Sequence, residues 1–143
     1  MKIYGCGILQ ERELQKDLAK KCSGDVLVAR YGFGIIVKSL IKNKKVRSIT
    51  IAEKNKEVID ELRKNDKIIG KIIINDFYNL SENKKFDCIV GDIWQDIDAK
   101  FLKDYLRFKR KSRKLLKDNG KILAWGQDYF EFLIKNNKSN SLS

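Results

Sequence analysis

Five short apolar runs, rich in Ile and Val, alternate along the chain with charged amphipathic stretches. Runs this short and this apolar are typical of strands in a parallel sheet that is covered on both faces. The alternation predicts βαβ units with right-handed crossovers, and therefore an α/β domain with one open, doubly wound sheet. The predicted strands are 25–29, 48–52, 71–74, 86–90 and 121–125.

The stretches between these runs carry apolar residues at helical spacing, which predicts helices over 10–21, 35–41, 54–64 and 99–117. Asn119-Gly120 would stop the last of these helices. The length of 143 residues fits a single domain, which we expect to cover residues 1–135. The polar segment 136–143 predicts a disordered tail.

The composition excludes several kinds of site. The chain has no His, so it cannot form a Ser-His-Asp or Cys-His catalytic unit or a His-dependent metal site. Its three Cys form no CxxC pair, and no metal site is predicted. An odd and small number of Cys is typical of reduced thiols in the cytoplasm. No apolar run approaches the roughly 20 residues of a membrane span, so no membrane partner is expected.

The charge is strongly positive, with 31 Lys and Arg against 19 Asp and Glu and a net charge of +12. Seven of the eleven residues from 107 to 117 are basic, which predicts a helix with a basic face on the outer side of the sheet. This face could neutralise the phosphates of a nucleic acid, or it could be a solvated face of a Lys-rich protein.

Ligands of a doubly wound sheet bind beyond the carboxyl ends of its strands, so residues that follow each strand are the candidates. Gly32-Phe33-Gly34 follows the first strand, where glycines let the backbone approach a ligand, or form a tight turn without one. Val37 stands where the dinucleotide fingerprint needs a third Gly, and no GK[ST] follows. Nicotinamide and nucleoside-triphosphate sites are therefore disfavoured.

Acidic residues follow the next three strands. Glu53 could accept both hydroxyls of a ribose, or cap the next helix. Asp76 and Phe77 could hold an adenine by a hydrogen bond and a flat apolar wall, unless Phe77 is a core residue. Asp92 could orient or deprotonate a nucleophile, and Trp94 could form a pocket wall or fill the core.

In this order and spacing, the stretches GDVLVARYGFGI (24–35), SITIAEKNKEVID (48–60), IIINDFYNL (72–80), KFDCIVGDIWQDI (85–97) and LLKDNGKILAWG (115–126) resemble class I S-adenosylmethionine-dependent methyltransferases. The similarity is greatest to the spermidine-synthase-like branch, which includes small bacterial and phage proteins. The resemblance implies a Rossmann-like domain of about five to six mostly parallel strands, C-terminally short relative to the family. It also implies S-adenosylmethionine as the cofactor.

The resemblance also implies roles for particular residues. Gly32 and Gly34 would pass along the methionine part and ribose of the cofactor, and Glu53 would bind the ribose hydroxyls. Asp76 and Phe77 would hold the adenine.

Two further positions concern the reacting end of the cofactor. Asp92 would bind there beside the sulfonium and act as the catalytic residue, with Tyr31 and Trp94 as pocket walls. Arg30 replaces a Gly that the family usually has. Its guanidinium would oppose the sulfonium unless it points away or pairs with the cofactor carboxylate.

The resulting prediction is a cytoplasmic methyltransferase of unknown acceptor, acting on a small molecule or a nucleic acid. One alternative is an aminopropyltransferase, as in the polyamine synthases that the chain resembles. Another is a non-catalytic Rossmann-like module that binds nucleic acid through its basic surface. A homodimer is possible, because an incomplete sheet edge could pair with a second copy.

Overall fold

The computed structural model describes residues 13–31, 34–65, 71–91 and 97–142. Five strands form one sheet in the order β3-β2-β1-β4-β5, and all four neighbouring pairs are parallel. The prediction of a doubly wound α/β sheet is therefore confirmed. The strands are β1 (Gly24–Val28), β2 (Val46–Glu53), β3 (Lys71–Ile74), β4 (Phe86–Gly91) and β5 (Leu116–Ala124).

Helices connect successive strands, except between β3 and β4. There the only helical element is a 3₁₀ turn at Phe77–Asn79. Within the described ranges, no helix is both long enough and apolar enough to cross a membrane. The α-helices are α1 (13–20), α2 (Ile35–Ile41), α3 (Lys56–Asn65), α4 (Leu102–Leu115) and α5 (Gln127–Leu142).

The core has two layers, one on each side of the sheet. Because side chains alternate along a strand, Leu27 of β1 packs in the layer with α4 and α5. Its neighbours Val26 and Val28 pack in the layer with α1 and α2. This alternation explains why the strands are apolar at nearly every position. The second layer also holds the free thiols of Cys22 and Cys88, whose sulfur atoms lie 3.2 Å apart.

The end of α4 differs from the prediction. The helix ends at Leu115 rather than at residue 117, and β5 begins at once. Phe86 pairs with Leu116 and Cys88 pairs with Lys121, so residues 117–120 form an irregularity within the strand. The reason is that Leu116 pairs with Phe86 of β4, and Lys117 Nζ then lies 3.1 Å from an Asp87 carboxylate oxygen.

The end of the chain also differs from the prediction. Helix α5 continues to Leu142, where the sequence predicts a disordered tail from residue 136. No Gly or Pro interrupts residues 127–142, so the local sequence lets the polar segment extend the helix that precedes it.

Charged side chains connect the amino ends of the strands. Arg47 donates to both carboxylate oxygens of Asp25, at 3.1 and 2.8 Å, and Ser48 donates to Asp25 at 2.6 Å. Lys117 contacts both Asp25 and Asp87. The hydrogen bonds from Arg47 and Ser48 hold the pKa of Asp25 well below its ordinary value. The amino edge of the sheet is therefore occupied by paired charges, and the carboxyl edge is the place for a ligand.

Candidate functional site

A cavity of about 590 Å³ opens at the carboxyl edge of the sheet, beyond β1, β2 and β3. This volume lies within the range of about 300–1,000 Å³ that is typical of small-molecule sites. Ala29 and Ala52, the small residues at the ends of β1 and β2, leave room for it. Its polar lining residues are Arg30, Glu53, Lys54, Asn55, Asn75, Asp76, Asp104 and Arg107.

Glu53 is held in one position at the floor of this cavity. Its side chain is 4% exposed, and each carboxylate oxygen accepts a backbone hydrogen bond. Oε1 accepts from the N–H of Tyr31 at 3.3 Å, and Oε2 accepts from the N–H of Asn55 at 3.1 Å. A carboxylate oxygen has two lone pairs, so both oxygens retain an acceptor position. Glu53 can therefore accept two further hydrogen bonds, one on each oxygen.

Asp76 and Phe77 also line the cavity, at the start of the link between β3 and β4. Asp76 caps the 3₁₀ turn by accepting from the N–H of Tyr78 at 3.0 Å, and its other oxygen lies 3.9 Å from Lys54 Nζ. Phe77 is 3% exposed and packs on Phe108, with ring centroids 5.3 Å apart. Phe77 is therefore a core residue that also forms part of the cavity wall.

The outer wall of the cavity was not predicted from the sequence. Asp104 and Arg107 of α4 lie there, together with Tyr78. The Arg107 guanidinium stacks on the Tyr78 ring, 3.8 Å from its centroid. Burial raises the pKa of the Tyr78 hydroxyl to about 12, and the charge of Arg107 opposes this shift. The i, i+3 spacing of Asp104 and Arg107 puts them on one helix face, but only the packing of α4 shows which face meets the cavity.

Gly34 allows the chain to turn into α2 after β1. Its φ of +80° lies in the left-handed region, and its N–H donates to the carbonyl of Tyr31 at 3.1 Å. A Cβ there would collide with the Tyr31 ring. Gly34 is not among the described residues that line the cavity. Its required conformation thus explains the glycine, and a contact with a ligand stays a prediction.

Arg30 is exposed and lines the cavity without filling it, since the cavity keeps a volume of about 590 Å³ beside it. The cavity therefore holds both signs of charge, with Arg30 and Arg107 beside Glu53 and Asp104.

Three of the predicted site residues, Gly32, Asp92 and Trp94, lie outside the described residues. The catalytic role of Asp92 stays a prediction. Across the ranges that the structure describes, no group of three or more Cys, Asp or Glu side chains is placed to hold a metal ion.

A second cavity, of about 330 Å³, lies beyond the end of β5, between α1 and the start of α5. Its lining includes the apolar and aromatic residues Leu14, Trp125 and Tyr129 and the acidic residues Asp17 and Asp128. The N–H of Trp125 donates to the carbonyl of Gly91 at 3.0 Å, so this cavity adjoins the end of β4, after which Asp92 follows in the sequence.

Comparison with known proteins gives a likeness in structure but not in sequence. No protein-family model matches the chain, and no curated protein matches it. An S-adenosylmethionine-dependent methyltransferase from Clostridium acetobutylicum superposes with a TM-score of 0.61 at 18% identity, over 85% of this chain and 54% of that one.

Two further solved structures are similar to the same degree. An S-adenosylmethionine-dependent methyltransferase from Leishmania major gives a TM-score of 0.58 at 19% identity, over 82% of this chain and 51% of that one. The DhpI–SAH complex gives 0.61 at 17% identity, over 84% and 57%. The chain thus spans about half the length of these proteins. At such identities the likeness establishes the fold, which is the Rossmann-like α/β fold of these methyltransferases.

Proposed function

We propose that the chain binds S-adenosylmethionine in the cavity at the carboxyl edge and belongs to a methyltransferase. The observation that carries this proposal is Glu53, a buried carboxylate fixed by two backbone N–H groups at the end of β2. A ribose presents two adjacent hydroxyls, and a fixed carboxylate with one acceptor position left on each oxygen matches them. The fold that the chain shares with known methyltransferases supports the same function.

The other residues of the cavity fit the remaining parts of such a cofactor. Asp76 offers a hydrogen-bond acceptor at the end of β3, and Tyr78 and the edge of Phe77 offer apolar surface for an adenine. Arg30 offers a cation for the carboxylate of the amino-acid part. In this arrangement its charge attracts the carboxylate group, which removes the conflict with the sulfonium.

S-adenosylmethionine, when bound, supplies a methyl group on a sulfonium that is reactive toward nucleophiles. The chain's own part is to bind the cofactor, to orient it and to exclude water around it. Asp92 follows β4 in the sequence, and we propose that it accepts or orients the proton of an incoming nucleophile. The neighbouring second cavity offers space for an acceptor beside that strand end.

The finer assignment, to the spermidine-synthase-like branch, is also a proposal. An aminopropyltransferase would use decarboxylated S-adenosylmethionine, which lacks the carboxylate that Arg30 would bind. Arg30 therefore favours methyl transfer over aminopropyl transfer. Calorimetry with the two cofactors tests this: we expect tighter binding of S-adenosylmethionine, by about tenfold for one charged hydrogen bond. In Arg30→Gln the difference should shrink, and a preference for the decarboxylated form would favour the aminopropyl alternative.

Calorimetric titration with S-adenosylmethionine tests the main proposal, with Glu53→Gln as the variant. Gln keeps an acceptor for one of the two backbone N–H groups but loses the second acceptor and the charge, so binding should weaken by about tenfold or more. Glu57→Gln makes the same chemical change on an exposed residue of α3 and should bind as the parent does. Thermal unfolding of both variants checks that they fold. Absence of binding by the parent, or equal binding by Glu53→Gln, would overturn the proposal.

A further inference from the structure

One face of α4 carries a row of cations, of which only Arg107 also belongs to the cavity described above. Lys103, Arg107, Arg110 and Lys114 follow one another at steps of four, three and four residues, and all four are exposed. Such spacing places them along a single helix face. We propose that this row, called the cation stripe below, binds the phosphate backbone of a nucleic acid and directs the strand toward the cavity.

The stripe cations differ from Lys109 and Lys111 of α4, whose ammonium groups are held by partners within the protein. Lys109 pairs with Glu131 at 2.7 Å, and Lys111 donates to the carbonyl of Leu80 at 2.7 Å. Within the described residues, no carboxylate forms an ion pair with any of the four stripe cations. Asp104 is the only acidic residue of the helix. The stripe is therefore a surface of nearly unopposed positive charge.

Its dimensions suit a polymer of phosphates. The distance along the helix from Lys103 to Lys114 is about 16 Å, at a rise of about 1.5 Å per residue. Each strand of a duplex carries one phosphate per roughly 3.4 Å, so several phosphates face a surface of this length. Lys85 extends the stripe at its far end, where its Nζ donates to the carbonyl of Lys114.

Arg107 connects the stripe to the cavity. Its guanidinium lies on the Tyr78 ring and is thereby held in place, and both residues line the cavity. An exposed guanidinium that is held in place beside the cavity can contact a backbone phosphate. Arg30 and Lys54, both exposed, are further cations in the lining of the cavity, and Lys54 Nζ lies 3.9 Å from a carboxylate oxygen of Asp76.

The same face argues against a membrane as the partner. The large apolar residues of α4 that are fully buried, Tyr105, Phe108 and Leu115, point into the core. These three side chains are therefore not available beside the cation stripe to insert into a bilayer. That the bound strand carries the methyl acceptor rests on the proposed function, whereas binding of the strand to the stripe does not.

Fluorescence anisotropy with labelled nucleic acids of about 20 nucleotides tests the proposal. RNA, single-stranded DNA and duplex DNA are measured without cofactor over a salt series from about 50 to 200 mM. The parent should bind at least one of them, with a logarithmic affinity that falls linearly with the logarithm of salt concentration. The form that binds best identifies the strand.

The variant Arg110→Gln/Lys114→Gln removes two stripe charges without touching a cavity residue. The salt slope should decrease by about 1.5, because each phosphate contact contributes about 0.7–0.9. Lys42→Gln/Lys44→Gln removes the same charge from the exposed turn before β2 and should leave the slope unchanged. Since Arg110 and Lys114 do not line the cavity, this variant should still bind S-adenosylmethionine, so the two proposals can fail separately.

Three results would overturn the inference. The parent could show no salt-dependent binding of any of the three nucleic acids. The stripe variant and the control variant could lose affinity equally, which would indicate a general effect of net charge. Polyglutamate could bind as tightly as the best nucleic acid, which would assign the stripe to acidic proteins.

Discussion

Single residues at the two edges of the sheet have different roles: one faces the cavity, and the other allows two strands to lie close together. At the carboxyl edge, the carboxylate of Glu53 is fixed by backbone N–H groups and faces a cavity. At the amino edge, Gly24 has a φ of +71° and lies against Asp87. A Cβ on Gly24 would come 2.7 Å from Asp87 Cγ. The glycine is therefore required by both its backbone conformation and the close approach of β4.

Replacing this glycine should be costly. We expect Gly24→Ala to lower the free energy of unfolding by about 1–3 kcal/mol, because Ala is strained at positive φ and meets the Asp87 side chain. Urea denaturation measures the change. Gly24→Asn serves as a comparison: Asn tolerates this backbone conformation better than Ala, but its Cβ meets Asp87 in the same way, so it should recover only the conformational part of the loss. An unchanged midpoint for Gly24→Ala would contradict the expectation.

The charges at the amino edge predict a dependence of stability on pH. The pKa of Asp25 is lowered in the folded state by Arg47 and Ser48, so its ionised form favours folding above the ordinary pKa near 4. This stability should be lost as the pH falls from about 5 toward 2. Urea midpoints across this range, compared with Asp25→Asn, measure it: the variant should show a flatter profile.

Asp60→Asn, at an exposed position of α3, is the matched control and should keep the profile of the parent. If Asp25→Asn and the parent lose stability in parallel, the lowered pKa of Asp25 does not contribute.

At the scale of whole elements, α4 is the helix whose role the sequence shows least well. Its apolar residues predict a buried face, and the structure buries Tyr105, Phe108 and Leu115 as expected. The sequence does not show that α4 also forms a wall of the cavity. That follows from the short link between β3 and β4, which leaves this side of the sheet to α4.

A polar contact joins α4 to α5, and its strength can be measured. Glu131 accepts from the hydroxyl of the buried Tyr105 and from Lys109. A double-mutant cycle with Tyr105→Phe and Glu131→Ala should give a coupling of about 1 kcal/mol, the usual net value of one such hydrogen bond. The same cycle with Glu57→Ala in place of Glu131→Ala should give no coupling. A coupling near zero in both cycles would show that the contact does not stabilise the fold.

For the molecule as a whole, the strands and their parallel arrangement could be predicted from the sequence, because a strand buried on both faces must be apolar throughout. The position of Glu53 followed from the same argument, since it comes directly after such a run. The start of β5 could not be predicted, because it depends on the pairing of Leu116 with Phe86, which is far away in the sequence. Arg107 at the cavity could not be predicted either, because its place there depends on how α4 packs in the fold.

The described part of α5 suggests that its last turns add little to the stability of the domain. Its residues packed in the core, such as Phe130 and Leu133, precede residue 135, and residues 135–137 are exposed. We expect removal of residues 136–143 to change the free energy of unfolding by less than about 0.5 kcal/mol. Phe130→Ala, in contrast, should cost about 3–5 kcal/mol. A large loss on truncation, seen in urea denaturation, would contradict this expectation.

The short link between β3 and β4 has one more consequence. Because no longer helix intervenes, Arg107 belongs at once to the wall of the cavity and to the outer surface of the protein. If a ligand in the cavity shifts this guanidinium, the free energy with which the cation stripe binds its own ligand changes. The same holds in the opposite direction. Thermodynamic reciprocity then requires each ligand to change the affinity of the other by the same factor.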